Sequence, residues 1–219
     1  MKSVKNFFDN YAKPFSQISG SISGYYSDNE VSGLITKFLR GSMLKRYEYT
    51  IENIKKSKSK SILDIGCGPG DYSLALRGEG INEILALDFS KNMLELAKKT
   101  EKEQFGKNII DWRFEDYLDL KIKNKFDASI AVGVLDYIEN PELFINKIIS
   151  ETGKISIISF PKKMHFLSLQ RKIRYKNKCY LRFYTMNDLG LLFNKFKDSH
   201  SITIKNFGRD FLVKVVSNG

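Results

Sequence analysis

Cysteine and histidine are scarce in this 219-residue chain, with two of each. Cys67 and Cys179 are too few for a disulfide framework or a cysteine-type zinc site, and two histidines rule against a His-rich metal centre. No apolar run approaches the ~20 residues that span a bilayer, so no transmembrane segment is expected. The opening Met1-Lys2-Ser3-Val4-Lys5 is basic, but no apolar core follows it; a secretory leader is not expected, and the chain reads as cytoplasmic.

Basic and apolar residues are plentiful. Lysine and arginine number 36 against 25 acids, a net charge of +11, and 42% of residues are hydrophobic, enough to bury a sizeable core. The charge favours anionic partners: a nucleic acid, a phosphorylated or carboxylated metabolite, or a lipid headgroup surface. A lysine-rich solvated surface would give the same total, so the placement of the charge matters.

Residues 34–44 repeat Leu34, Ile35, Phe38, Leu39, Met43 and Leu44 at helical spacing. The lysine-serine run Lys55–Lys60 then forms a solvated connector. From Ser61 onward short buried-type strands alternate with helices. Strands are expected at 61–65, 83–87, 109–114, 126–132 and 154–160, with helices between them. Ser90 is an N-cap, and Pro141 opens a helix. A helix over 187–196 and strands at 201–206 and 211–216 complete the order, the last pair turning at Asn206-Phe207-Gly208. Such alternation calls for a parallel sheet covered on both faces, with ligands beyond the carboxyl ends of its strands.

Four unusual elements fall at four successive strand ends. Asp64-Ile65-Gly66-Cys67-Gly68-Pro69-Gly70 follows the first strand. Its spacing is G-x-G-x-G, with Asp71 where a dinucleotide loop would carry its third glycine, and no Gly-Lys-Ser/Thr of a phosphate loop follows. A carboxylate at Asp64 would repel a pyrophosphate and suits a ligand carrying positive charge. Asp88 ends the second strand, where a carboxylate can accept from two ribose hydroxyls. Glu115-Asp116-Tyr117 follows the third, within reach of an adenine amine. Val132-Gly133-Val134-Leu135-Asp136 follows the fourth, where Gly133 permits close contact. Cys67 is expected simply to pack.

These stretches, with Leu87-Asp88-Phe89-Ser90-Lys91-Asn92-Met93 and Asn140-Pro141, resemble the class I S-adenosylmethionine-dependent methyltransferases over about residues 60–160. The resemblance implies an α/β Rossmann-like fold with a seven-stranded, mostly parallel sheet and helices on both faces, and S-adenosyl-L-methionine as cofactor. It further implies Asp64 and Gly66, Cys67, Gly68 and Gly70 near the methionine part and Asp88 on the ribose. Phe89 and Met93 would lie on the adenine face, Asp116 with Glu115 and Tyr117 at the adenine amine, and the Val132 and Gly133 backbone at the methionine amine. Residues 1–57 would be a helical lid or cap, and 58–219 the methyltransferase domain. Thr152-Gly153-Lys154 departs from the family in lacking paired glycines before the fifth strand, at a position that turns a loop.

Two regions are left for a methyl acceptor. The amino-terminal segment carries Tyr11, Tyr25 and Tyr26 among other aromatics, fit to exclude water from a sulfonium. The insertion 161–185 carries eight Lys or Arg, Arg171 and Arg174 among them, and no acid. It favours a small anionic acceptor or a peripheral anionic surface, and a single-stranded nucleic acid as the lesser alternative. His165, beside Lys162 and Lys163, is a candidate general base. An RNA methyltransferase and a non-catalytic methyltransferase-fold subunit are the competing readings. The first lacks support, because Val132-Gly133-Val134-Leu135 stands where an Asn/Asp-Pro-Pro-aromatic motif belongs; the second sits poorly with intact cofactor motifs.

Overall fold

The computed structural model describes residues 34–163 and 180–219, with side chains from Gly41 onward. The elements are α1 (Leu34–Lys56), β1 (Ser61–Ile65), α2 (Asp71–Gly78), β2 (Glu83–Asp88), α3 (Lys91–Phe105), β3 (Asp111–Phe114), β4 (Phe126–Ala131), α4 (Pro141–Ser150), β5 (Thr152–Pro161), α5 (Met186–Phe193), a 3-10 turn (Asn194–Phe196), β6 (His200–Phe207) and β7 (Asp210–Ser217). One seven-stranded sheet runs β3-β2-β1-β4-β5-β7-β6. β1 to β5 pair in parallel, while β7 is antiparallel to both β5 and β6. This is the expected α/β class and strand content.

Strand side chains alternate between faces, and both faces are covered, so nearly every position in the central strands is apolar. Ile62, Ile84, Ala86, Ile130, Ile155 and Ile157 join Ile54 of α1, Leu74 of α2 and Leu94 of α3 in one core. Leu63, Leu87, Ala131, Ile158 and Phe160 join Phe144 and Ile148 of α4 and Leu189 and Phe193 of α5 in the other. Fully burying each such aliphatic side chain stabilises the fold by about 1.5–3 kcal/mol.

The caps set the boundaries. Ser90 accepts from the Met93 N–H, and Asn140 accepts from Leu143 N–H with Pro141 at the first helical position. Thr185 and Asp188 form a reciprocal capping box, so α5 begins at Met186 rather than 187; it gives way to a 3-10 turn at Asn194. β3 is shorter than the pattern predicts. The N–H groups of Ile109 and Ile110 donate to the Glu101 carboxylate at 2.7 and 2.8 Å, which leaves them unavailable to the sheet. The same buried carboxylate accepts from Trp112 Nε1 at 2.8 Å.

The strand order reverses direction between β1 and β4. Beyond the carboxyl ends of the strands at such a reversal lies the usual ligand position in sheets of this kind.

Candidate active site

The loop after β1 is tied to the end of β2. The Cys67 N–H donates to the Leu87 carbonyl at 2.9 Å, and the Gly68 N–H to Asp88 Oδ2 at 2.9 Å. Asp88 Oδ1 accepts from the Ser90 N–H at 2.8 Å. One 9%-exposed carboxylate therefore fixes both the glycine loop and the start of α3.

The glycines divide into two kinds. Gly66, Gly68, Gly70 and Gly133 all have positive φ. A Cβ on Gly66 would lie 2.4 Å from Val134 Cγ2, and one on Gly70 would lie 2.5 Å from Trp112 Cη2. These two are glycines because protein packs against them. Among the described residues, a Cβ on Gly68 or Gly133 would meet nothing within 4 Å. These two line open space, one at the end of β1 and one at the end of β4. The Gly133 N–H donates to Ser159 Oγ at 2.8 Å, which holds the loop after β4 against the end of β5.

Asp64 lies beneath the loop, 2% exposed, and accepts from Ser73 Oγ at 2.6 Å. Burial raises its pKa to about 7; the Ser73 bond opposes that shift, and the nearby charges of Asp88 and Asp71 add to it. The Cys67 thiol is buried and its pKa pushed well up, chiefly by burial, then by Asp88 and Asp64. It packs, as expected, and is not a thiolate nucleophile.

The remaining expected residues are placed unequally. Met93 is buried at 5% with its N–H on Ser90, and Phe89 and Val132 are half-buried at their strand ends. Glu115 is exposed, while half-buried Asp116 closes a turn by accepting from the Leu118 N–H at 3.0 Å. Tyr117 needs correction. Its ring is in the core edge-on to Phe144, and its hydroxyl donates to Glu151 Oε2 at 2.6 Å. That side chain is committed to α4 and does not face the crevice. Tyr11, Tyr25, Tyr26, His165, Arg171 and Arg174 lie outside the described residues.

A buried charge pair was not foreseen. Arg46 of α1 reaches Asp210 at the start of β7, Nη1 to Oδ2, at 2.5 Å, with side chains 10% and 8% exposed. Burial works against the Arg46 charge, but Asp210, Tyr72 and Asp136 outweigh it and raise the guanidinium pKa. β7 begins beside Pro161, where β5 ends. Two residues 164 apart in sequence leave no local signal of their pairing. Ser159 and Ser73 were also missed; only their place at a strand end or a first helical turn could have pointed to them. Among the described residues, no cluster of His, Cys, Asp and Glu has the makings of a metal site.

Positive-φ glycines thus stand at the β1–β4 switch point with the Asp64 and Asp88 carboxylates beside them, an arrangement that could take cationic or hydroxyl-rich groups more readily than diphosphates. The chain belongs to the methyltransferase domain family, whose model matches residues 56–194. Its fold is that of the class I S-adenosylmethionine-dependent methyltransferases, and S-adenosylmethionine is the cofactor of that class. The chain is 31% identical over 117 residues to a 2-phytyl-1,4-naphthoquinone methyltransferase of Nostoc sp. strain PCC 7120, covering 50% of this chain and 51% of the relative. It is 30% identical over 125 residues to a ubiquinone biosynthesis O-methyltransferase of Rickettsia canadensis, covering 54% and 52% respectively. The chain thus spans about half the length of these curated relatives. Among solved structures it is similar to a magnesium protoporphyrin IX methyltransferase from Synechocystis PCC 6803 with bound SAH. The TM-score is 0.69 and the identity 20%, over 89% of this chain and 91% of that one.

Proposed function

We propose that the protein transfers a methyl group from S-adenosylmethionine to a small-molecule acceptor bearing an anionic or ionisable oxygen. The observation that carries this reading is the pairing of two open glycines, Gly68 and Gly133, with the Asp88 carboxylate across one crevice. The donor set fits the cofactor. Asp88 offers acceptor capacity to a ribose diol, and the Gly68 and Gly133 backbones let a bulky thioether chain approach. Asp64 places a negative charge under a cationic amino acid end. Clustered carboxylates disfavour NAD, whose diphosphate they would repel.

When bound, the cofactor supplies an electrophilic methyl group on a sulfonium. The chain's own work is to bind, orient and exclude water. Phe89 and Met93 flank the adenine in this reading, Asp116 with Glu115 receives its amine, and Val132 and Gly133 carbonyls receive the methionine ammonium. The acceptor enters from the β5 side of the sheet's carboxyl end. Arg171 and Arg174 hold its anionic group, His165 takes a proton where the nucleophile needs one, and Tyr11, Tyr25 and Tyr26 close the site from residues 1–57. The quinone and protoporphyrin relatives, whose names describe small-molecule acceptors, support the acceptor class over RNA.

Calorimetric titration tests the core of this reading. S-adenosylmethionine and S-adenosylhomocysteine should bind, and NAD should not. Binding of NAD with no response to S-adenosylmethionine would overturn it.

A further inference from the structure

The sheet has a second end, opposite the glycine loop. β1 to β5 all start there, and α1, α2 and α4 finish there. Lysine is dense at this end. Lys58 and Lys60 lead into β1, Lys123 and Lys125 into β4, and Lys154 lies near the start of β5, all five exposed. Hydrogen bonds tie this end together across three neighbouring strands. The Lys60 N–H donates to Asp127 Oδ2 at 2.7 Å, and Lys154 Nζ reaches that oxygen at 3.1 Å and the Lys58 carbonyl at 3.3 Å. Between the ends of α1 and α2 the same face holds an open groove of about 630 Å³, lined in part by Lys55, Lys58 and Lys60 with Asn82 and Glu83.

Three of the acids nearby are already engaged. Glu79 pairs with Lys55 at 2.6 Å, Asp127 with Lys154 at 3.1 Å, and Glu151 with Lys147. Among the described residues, Lys58, Lys60, Lys123 and Lys125 have no carboxylate within ion-pairing distance. Basic side chains at a helix end answer the negative pole of its backbone, which accounts for Lys55 and Lys56 in α1 and Lys147 in α4. Lys123 and Lys125 lie in a connector and Lys60 borders a strand, so that account does not cover them. Uncompensated like charges held on one face repel one another in the free protein, and an anionic partner relieves the repulsion.

We infer that this face docks on the phosphate backbone of a double-stranded nucleic acid. β1, β4 and β5 lie side by side, about 4.8 Å apart, so the lysines span roughly 10 Å. Each strand of a duplex carries one charge per about 3.4 Å of axis, so a face of that width meets about three phosphates. A bilayer contact calls for apolar side chains beside the cations. The large ones left exposed among the described residues, Phe114, Leu143, Tyr180, Met186 and Leu191, belong to other segments. A protein partner calls for aromatic and arginine anchors, and such interfaces are depleted of lysine. A single strand calls for exposed aromatic rings on which its bases stack. Flexible lysines around an open groove suit backbone phosphates read without regard to sequence, and the net charge of +11 adds long-range attraction. The nucleic acid is a docking partner and not the methyl acceptor, because this face and the glycine loop lie at opposite ends of the sheet.

Fluorescence anisotropy with the full chain and a short labelled duplex of mixed sequence, repeated over a range of salt concentrations, tests this. S-adenosylmethionine affinity is measured in parallel. The parent should bind the duplex with a steep log–log salt dependence. Lys60→Ser, Lys123→Ser and Lys125→Ser combined should flatten that slope by about three, roughly one per lysine, with cofactor affinity unchanged. Lys98→Ser, Lys99→Ser and Lys205→Ser remove the same charge from α3 and β6 and should keep the parent's slope. Equal flattening in the two triple variants would reduce the binding to net charge and overturn the inference. So would a parent that binds no duplex at low salt, or one that pellets with phosphatidylglycerol vesicles and ignores the duplex. Lys123→Ser with Lys125→Ser is the second variant should the first misfold, and should flatten the slope by about two. A parent that binds cofactor but no duplex leaves the methyltransferase reading standing; one that binds duplex but no cofactor strikes that reading and leaves this face in place.

Discussion

Gly68 and Asp88, twenty residues apart, are joined by a 2.9 Å hydrogen bond from the loop backbone to the carboxylate at the end of the neighbouring strand. On the proposed function Asp88 has two tasks, holding the loop and accepting from the cofactor, and the two can be separated. Asp88→Asn keeps a side-chain carbonyl for the Gly68 N–H but loses the charge. Asp88→Ala loses both. Cofactor affinity should fall by about 1–3 kcal/mol in the alanine variant, the usual cost of losing charge-assisted bonds, and by less in the asparagine variant. Calorimetry on both decides it. Parent-like affinity in Asp88→Ala would remove Asp88 from the ribose.

On the proposed function, Asp64 should make cofactor binding depend on pH. Its pKa, raised in the fold from 3.8 to about 7, means that the folded chain keeps a proton which the unfolded chain releases. Between about pH 4 and 7 the unfolded state therefore binds fewer protons, and this group's contribution to stability declines as pH rises. A cationic ligand reverses the preference by stabilising the carboxylate. S-adenosylmethionine should bind more tightly as pH rises through 7, by at most about tenfold per pH unit for one coupled proton. In Asp64→Asn both trends should flatten. A parent-like pH profile in that variant would place the linked proton elsewhere.

The four positive-φ glycines should not respond alike. Gly70→Ala drives a methyl into Trp112 and should destabilise the fold by about 1–3 kcal/mol or more, read by urea unfolding. Gly68→Ala bears only the cost of a left-handed alanine, about 1–2 kcal/mol, because its Cβ meets open space. Its larger effect should be on cofactor binding. Equal binding losses in Gly68→Ala and in a folded Gly70→Ala would mean that both glycines serve the ligand.

This division of the glycines also shows what the sequence could tell. Every signal that depended on a few consecutive residues was legible: the strand–glycine–helix turn, Asp88 at a strand end, the Ser90 cap and the alternation that sets a parallel sheet. The sequence could not tell which glycines face a ligand, because Trp112 and Val134 approach Gly70 and Gly66 from other elements. Tyr117 was misplaced for the same reason. An acid-acid-tyrosine run after a strand reads as a site wall, yet the Tyr117 hydroxyl belongs to Glu151, 34 residues away. Glu101 carries no local signal of its role. It is fully buried, and its carboxylate takes the two donors that shorten β3.

Arg46 and Asp210 supply the sharpest stability test, because the pair is buried and joins α1 to the first residue of β7. Removing one partner of such a pair leaves a charge in a poorly solvated place, at a cost of about 3–5 kcal/mol. Removing both lifts that penalty. Arg46→Met alone should therefore destabilise strongly, since the buried Asp210 carboxylate loses the guanidinium that pairs with it, although Arg209, 3.3 Å away, also faces it. Arg46→Met combined with Asp210→Leu should recover much of the loss. Urea unfolding of the two single variants and the double variant gives the coupling directly. The expected result is a double variant more stable than Arg46→Met by about 1 kcal/mol or more. Strictly additive losses would mean that the two charges do not sense each other, and that α1 is held to the sheet by its apolar face and by its other polar contacts, such as Lys214 to Asn53.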